Sequence, residues 1–241
     1  AEAPLGVSFH TLPRETNTNI RSMFVAPPGD AFVTVDYAAM ELRVLAHVAK
    51  EKSMQHAFNS GADLHTYTAK LLFGRDKISK EERQIAKTVS FLIVYGGGAF
   101  NLSETMRNLR DVNSKDKGVV NRALRQGLNF TIQSTASDIL LCGLLGIHDS
   151  FTNAKMKSRI VATVHDSIEL ICPPEELAEA CSIVFNELVN YPYMRNKFGI
   201  DLAVPLGVDM EVGRSFGDGV SVDLSDLKVT NLQEILSYLN Q

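Results

Sequence analysis

The chain has 241 residues, 45% of them hydrophobic and 22% charged, with a formal net charge of −4. That length can bury a real core as one large domain or two lobes, and the composition is globular rather than disordered or fibrous. It has no stretch of 18 apolar residues and no signal-peptide pattern, so a membrane-spanning helix is not expected and an intracellular protein is. Cys142, Cys172 and Cys181 are odd in number and lack C-x-x-C spacing, which predicts buried free thiols rather than a zinc site.

Residues 1–30 hold several Pro and Thr residues, end in Pro27-Pro28-Gly29-Asp30, and read as an irregular lead-in. The β-branched run ending in Val35-Asp36-Tyr37 predicts a strand over about 31–36, and Met40 to His47 a helix over about 40–50. Further helices are expected through about residue 95. The last of them opens on Ser79 followed by Glu82, a capping-box pair, and Gly96-Gly97-Gly98 should end it. Within it Arg83, Lys87, Phe91 and Tyr95 recur every four residues, so they share one broad face. Ser134 to Leu145 is small and apolar and predicts a buried helix. Ile160–Ile171 reads as a hairpin with His165-Asp166 at its tip. Glu175–Asn190 has helical periodicity, Ala203–Val212 alternates like a strand, and the tail after Gly219 ends in a short amphipathic helix whose expected role is self-packing.

Two features carry chemistry. Asp36 and Asp166, 130 residues apart, each stand at the end of a predicted strand, where a carboxylate is held rigidly. Two such carboxylates brought together can hold a pair of Mg²⁺ ions for phosphoryl transfer; each alone could simply begin a turn. The helical stripe of two cations followed by two aromatics suits a nucleoside triphosphate, with charge against phosphates and flat surface against sugar and base. An ordinary amphipathic helix with a solvated basic start fits the same stripe. From Arg75 to Arg125 there are 11 Lys and Arg against 6 Asp and Glu, so this segment is basic while the rest of the chain is acidic. A groove gripping phosphates on one wall would show that asymmetry.

Together these residues resemble the polymerase domain of family A DNA polymerases. Asp36-Tyr37-Ala38-Ala39-Met40-Glu41-Leu42-Arg43 resembles the family's D-Y-S-x-x-E-L-R, and Val164-His165-Asp166-Ser167 its V-H-D-E. The helix resembles R-x-x-x-K-x-x-x-F-x-x-x-Y-G, and Arg125 to Asp138 resembles R-x-x-x-N-x-P-x-Q-G-x-x-x-D. Asp63-Leu64-His65 and Ile20 to Phe24 are lesser echoes, and the similarity runs from about Arg21 to Gly217. The resemblance implies an α+β right-hand architecture: a palm with an antiparallel sheet (31–50 and 126–218), helical fingers (51–125), a C-terminal extension (219–241), and neither a thumb nor an exonuclease domain within this sequence.

The same resemblance implies site roles. Asp36, Asp166 and the carbonyl of Tyr37 would hold two Mg²⁺ ions, with Mn²⁺ as a substitute. Glu41, supported by Tyr95, would exclude a ribose 2′-hydroxyl. Arg83, Lys87 and His65 would contact the incoming dNTP, Lys87 also serving as proton donor to pyrophosphate, and Phe91 would pack on the sugar and go with rejection of dideoxynucleotides. Arg125, Asn129, Gln133 and His165 would line the primer-template DNA groove. Accessory replication proteins are further candidate partners, and the compactness and motif drift fit a phage enzyme.

The sequence departs from the family pattern at several places. Ser167 replaces a glutamate, Ala38 and Ala39 replace more polar residues, Ser90 and Leu92 flank Phe91 where Asn and Gly are usual, Thr131 replaces a proline, and Ser134 a glycine. Lys87 and Arg125 are 38 residues apart, which is short for the family; the run from Arg107 to Lys117 is where material is expected to be missing. Two other readings compete: a non-catalytic nucleic-acid-binding remnant, which Ser167 favours, and a metal phosphohydrolase, for which the remaining histidines lack suitable spacing. Among close relatives, a single-subunit RNA polymerase is disfavoured by Glu41.

Overall fold

The computed structural model describes residues 20–94 and 117–222, and the chain divides into two compact units. The first comprises residues up to Ala38, Ile139–Ile200 and Leu206 onward; the second, Ala39–Asp138 and Asp201–Pro205. The amphipathic helix expected after Gly219, Gly96–Gly98 and most of the run from Arg107 to Lys117 lie outside the described residues, as does most of the lead-in.

The first unit is built on a five-stranded antiparallel sheet in the order β2-β3-β1-β4-β5. Its strands are β1 (Ala31–Tyr37), β2 (Arg159–Val164), β3 (Ser167–Cys172), β4 (Val208–Gly213) and β5 (Gly219–Ser221). Successive side chains on a strand point to opposite faces, so the register sorts the residues cleanly. One face carries Val33, Val35 and Tyr37 of β1, Ile168 and Leu170 of β3, and Val208, Met210 and Val212 of β4, all buried. Each such side chain contributes roughly 1.5–3 kcal/mol of burial. The other face carries Thr34 and Asp36, flanked by Glu169 and Ser167 on one side and by Glu211 and Asp209 on the other. Phe32, Ile171, Val164, Phe216 and Ala26 form a separate buried apolar cluster.

The apolar face is met by the last part of α5 (Lys117–Asn153), whose first part belongs to the second unit. Gly143 makes the approach possible: a Cβ there would stand 2.5 Å from Leu188 Cδ2 and 3.3 Å from the Tyr37 hydroxyl oxygen. That hydroxyl donates to the Leu188 carbonyl, and burial raises its pKa far above the phenolic range. The predicted buried helix at Ser134–Leu145 is thus the middle of a 37-residue helix. Ile139 and Ile147 are buried, but Leu141 and Leu145 are exposed. Two further helices, α6 (Leu177–Phe185) and α7 (Pro192–Phe198), are joined by a π-helical turn at Asn186–Asn190. All three cysteines are free; burial lifts the thiols of Cys172 and Cys181 to about 11 and about 12.

The second unit is helical: α1 (Met40–Val48), α2 (Lys52–Asn59), α3 (Leu64–Phe73), α4 (Lys80–Val94) and the start of α5. Consecutive helices pack in pairs, α3 against α4 most extensively. The predicted capping box forms in full at α4: the Ser79 amide donates to Glu82 Oε2 at 3.0 Å and the Glu82 amide to Ser79 Oγ at 3.2 Å. The strand expected from Ala203 begins only at Val208. Its first residues are taken by the helices instead: the Ala203 amide donates to His47 Nδ1, Asn59 donates to the Ala203 carbonyl, and Arg43 to that of Pro205. Pro205 has no amide to give a ladder. No helix among the described residues is long and apolar enough to cross a membrane.

Candidate active site

In the first unit, Asp36 is the last residue but one of β1 and pairs with Ser167 of β3. Asp166 precedes Ser167 in the two-residue loop that closes the β2–β3 hairpin. The Tyr37 amide donates to the Asp166 carbonyl at 3.3 Å. Main-chain bonding therefore brings Asp36 and Asp166 to the same end of adjacent strands, at the roughly 4.8 Å spacing of a sheet. His165, the other loop residue, is exposed with a positive φ of 59°, the sign needed by the mirror-image turns that close short hairpins.

Asp36 opens onto a cavity of about 590 Å³ over the polar face of the sheet. Thr34, Ser167, Asp209, Glu211 and Arg21 also line it. The alternation of Val208-Asp209-Met210-Glu211-Val212 could have revealed this second acidic edge, since it sets two carboxylates on the face opposite the core. Arg21 lies over the Phe216 ring, 4.7 Å from its centre. Beneath the cavity Glu169 is almost wholly buried, its Oε2 accepting from Thr34 Oγ1 at 2.6 Å and its Oε1 from Ser167 Oγ at 2.8 Å. Burial raises the Glu169 pKa, against the pull of those two hydroxyls and of the Arg21 charge. Ser167, where the family pattern has glutamate, is itself buried and turned to Glu169 and to the Val164 carbonyl.

The donor set suits a hard divalent cation. Carboxylates and a backbone carbonyl are the oxygen ligands Mg²⁺ prefers, and Asp36, Asp166 and Tyr37, which carry such groups, stand at one strand end. Among the described residues no group of three or more His, Cys, Asp or Glu side chains is arranged for a metal.

In the second unit, Asp63 caps α3, accepting from the Thr66 amide at 3.0 Å and its hydroxyl at 2.5 Å. The same carboxylate takes two hydrogen bonds from Arg83 on α4, Nε to Oδ2 at 2.6 Å and Nη2 to Oδ1 at 2.9 Å. The Arg83 bond, ahead of the others, holds the Asp63 carboxyl far below the usual carboxylate range. His65, two residues along, is buried, and burial lowers its pKa; Arg83 and Lys87 push the same way while Asp63 opposes. Asp63 and Arg83 are thus bonded across α3 and α4, and the charges of both, with that of Lys87, reach His65. Glu41 is half-buried in the first turn of α1, after Ala39 in a left-handed conformation with φ of 53°.

Phe91 falls within α4, and Tyr95 lies outside the described residues. Arg125, Asn129 and Gln133 follow one another at four-residue intervals along α5, and Gln133 is exposed.

Comparison with known proteins bears on the family and the fold. The family model described as DNA polymerase family A matches residues 9–110 and 105–218, two segments that meet near the expected shortening. The DNA polymerase of Mycobacterium phage D29 is 32% identical over 256 residues, covering 90% of this chain and 40% of its own length. That of Bacillus phage SP01 is 30% identical over 278 residues (90% and 30%), and DNA polymerase I of Chloroflexus aurantiacus 28% over 250 (85% and 26%). The chain therefore spans well under half the length of these relatives. Among solved structures, the POL domain of Pol1 from M. smegmatis, in complex with DNA primer-template and dNTP, superposes with a TM-score of 0.74 at 24% identity, over 88% of this chain and 45% of that one. The α+β architecture is that of a family A polymerase domain, and the chain belongs to DNA polymerase family A.

Proposed function

We propose that this chain carries the palm and fingers of an enzyme that extends a DNA primer along a template by nucleotidyl transfer from a dNTP. The observation that carries the reading is the junction of Asp36 and Asp166, tied by the Tyr37 amide at one end of adjacent strands. Strands β1 to β4 and helix α1 fall in the palm (31–50 and 126–218), and α2 to α4 in the fingers (51–125).

Asp36, Asp166 and the Tyr37 carbonyl would hold Mg²⁺, or Mn²⁺ in its place. When bound, the metal supplies positive charge that favours ionisation of the primer 3′-hydroxyl and steadies departing pyrophosphate. The remaining steps fall to side chains of the chain itself. Arg83 and Lys87 neutralise the triphosphate as charge builds on its leaving oxygens, an electrostatic rather than covalent role. Lys87 donates a proton to pyrophosphate. His65, held toward its neutral form by burial, offers a hydrogen bond rather than a third charge. Phe91 packs on the sugar, and Glu41 with Tyr95 fills the volume a 2′-hydroxyl needs. Arg125, Asn129, Gln133 and His165 contact primer-template DNA. The reaction is intracellular.

Primer extension with Mg²⁺, comparing deoxy-, ribo- and dideoxynucleotides, tests the reading. Template-dependent extension with deoxynucleotides is expected; its absence, with DNA still bound, would favour a non-catalytic remnant, for which Ser167 turned toward Glu169 is the supporting observation.

A further inference from the structure

We infer that Asp63 is a positioning residue for nucleotide binding, holding Arg83 in the orientation in which it receives a triphosphate; this rests on the role proposed for Arg83. The arrangement has three linked parts. Asp63 is anchored at the start of α3 by both the amide and the hydroxyl of Thr66. Arg83 meets it side-on through Nε and Nη2, at 2.6 and 2.9 Å, across 20 residues of sequence and from a different helix. A guanidinium has five N–H donors in a rigid plane. The pair uses two, and the plane so fixed leaves the outer Nη1–Nη2 edge, with one N–H from each nitrogen, for an anion.

The alternative is that Asp63 competes with the triphosphate for Arg83. The geometry favours positioning. A side-on pair occupies one edge of the fork, and the outer edge keeps the bidentate geometry that matches phosphate. The entropy of fixing a long side chain is then met before the anion arrives. Asp63 also stands at a helix N-terminus, which stabilises its charge where it is. Lys87 stands one helical turn beyond Arg83 on the same broad face, so an Arg83 fixed in plane sets the angle at which phosphates approach that face.

The test uses the full chain and inorganic tripolyphosphate without divalent metal, measured by titration calorimetry. Asp63→Asn keeps a capping oxygen for α3 but withdraws the charge from Arg83. It should weaken binding about tenfold, the scale of one charge-assisted hydrogen bond. In an Arg83→Ala background the same change should do nothing, because the effect passes through Arg83. Thr66→Val, which loosens Asp63 without touching its charge, should weaken binding about two- to threefold, less than Asp63→Asn because both Arg83 bonds remain. In primer extension, Asp63→Asn should raise KM for dNTP with kcat within about twofold. Tighter binding in Asp63→Asn would identify a competitor and overturn the inference. So would unchanged binding, effects of Asp63 and Arg83 that multiply, or a parent chain that binds no tripolyphosphate. Coupled binding without primer extension leaves this inference standing and removes the polymerase reading; extension with KM insensitive to Asp63 does the reverse.

Discussion

The two units hold their functional groups by different means. In the sheet unit, Asp36 and Asp166 are placed by main-chain bonds: a ladder register and the Tyr37 amide, which no side-chain substitution removes directly. In the helical unit, Arg83 is placed by another side chain, Asp63, across the α3–α4 pair. A backbone-fixed site suits chemistry, which tolerates little displacement, and a side-chain-fixed site suits a ligand that comes and goes at each cycle. The sharpest way to break this contrast is to remove the carboxylates. Asp36→Ala or Asp166→Ala should lower kcat for primer extension by about 10³-fold or more, with the fold intact by circular dichroism, since a metal supplies several kcal/mol of charge stabilisation. Near-normal incorporation by either variant would refute the assignment.

In the helical unit the loss should fall on binding. Lys87→Ala should reduce kcat/KM for dNTP about 10–100-fold, the range for a charge-assisted contact to phosphate, and the deficit should shrink at high ionic strength as screening weakens the parent. A deficit independent of salt would argue that Lys87 acts through proton transfer alone. Glu41→Ala should change selectivity more than rate. The ratio of deoxy- to ribonucleotide incorporation should fall at least tenfold, because a volume that excluded the 2′-hydroxyl is emptied. Unchanged sugar discrimination would take Glu41 out of the gate.

What was legible in the sequence divides along the same line. The strand ends bearing Asp36 and Asp166, and the capping box at Ser79 and Glu82, depend on local pattern, and the structure reproduces them. The pairing of β1 with β3 is not legible in the sequence, because register between strands more than 130 residues apart leaves no local mark; the family resemblance implies only an antiparallel sheet. The Asp63–Arg83 bond was missed for the same reason: each residue was noted in its own motif, and nothing in sequence joins them. The late start of β4 shows tertiary bonding overriding alternation, since His47 and Asn59 take the main-chain groups of Ala203 that a strand would have used. Asp209 and Glu211 were readable from period two, but an acidic outer face on a strand is ordinary until its neighbours are known.

Stability offers a smaller contrast between the units. Ser79→Ala removes the hydroxyl that accepts the Glu82 amide and should destabilise the helical unit by about 1 kcal/mol, seen as earlier loss of amide protection at the start of α4. Protection of the sheet amides should be untouched, and a shared loss would mean that the units unfold together.

The smallest effect is expected at Glu169, and it should appear only as a dependence on pH. Its pKa is raised, chiefly by burial, so the folded chain keeps a proton that the unfolded chain releases near the ordinary carboxylate value of 4.5. Between the unfolded value and the raised folded one, folding takes up a proton, and stability from this group falls as pH rises. Below the unfolded value its contribution is fully present. Asp63 has the opposite sign: its pKa is depressed, so it stabilises at neutral pH and ceases to do so in acid. The two trends overlap in any single unfolding curve, which is why the difference between variant and parent must be followed. Glu169→Gln keeps the shape and can still bond Thr34 and Ser167, but it has no proton to release. Relative to the parent it should be nearly neutral at pH 4 and become progressively stabilising toward pH 8 in denaturant titrations. A difference that stays flat across that range would mean that the Glu169 carboxyl ionises in the folded chain as readily as in water, and that the polar face of the sheet is wetter than its hydrogen bonds imply.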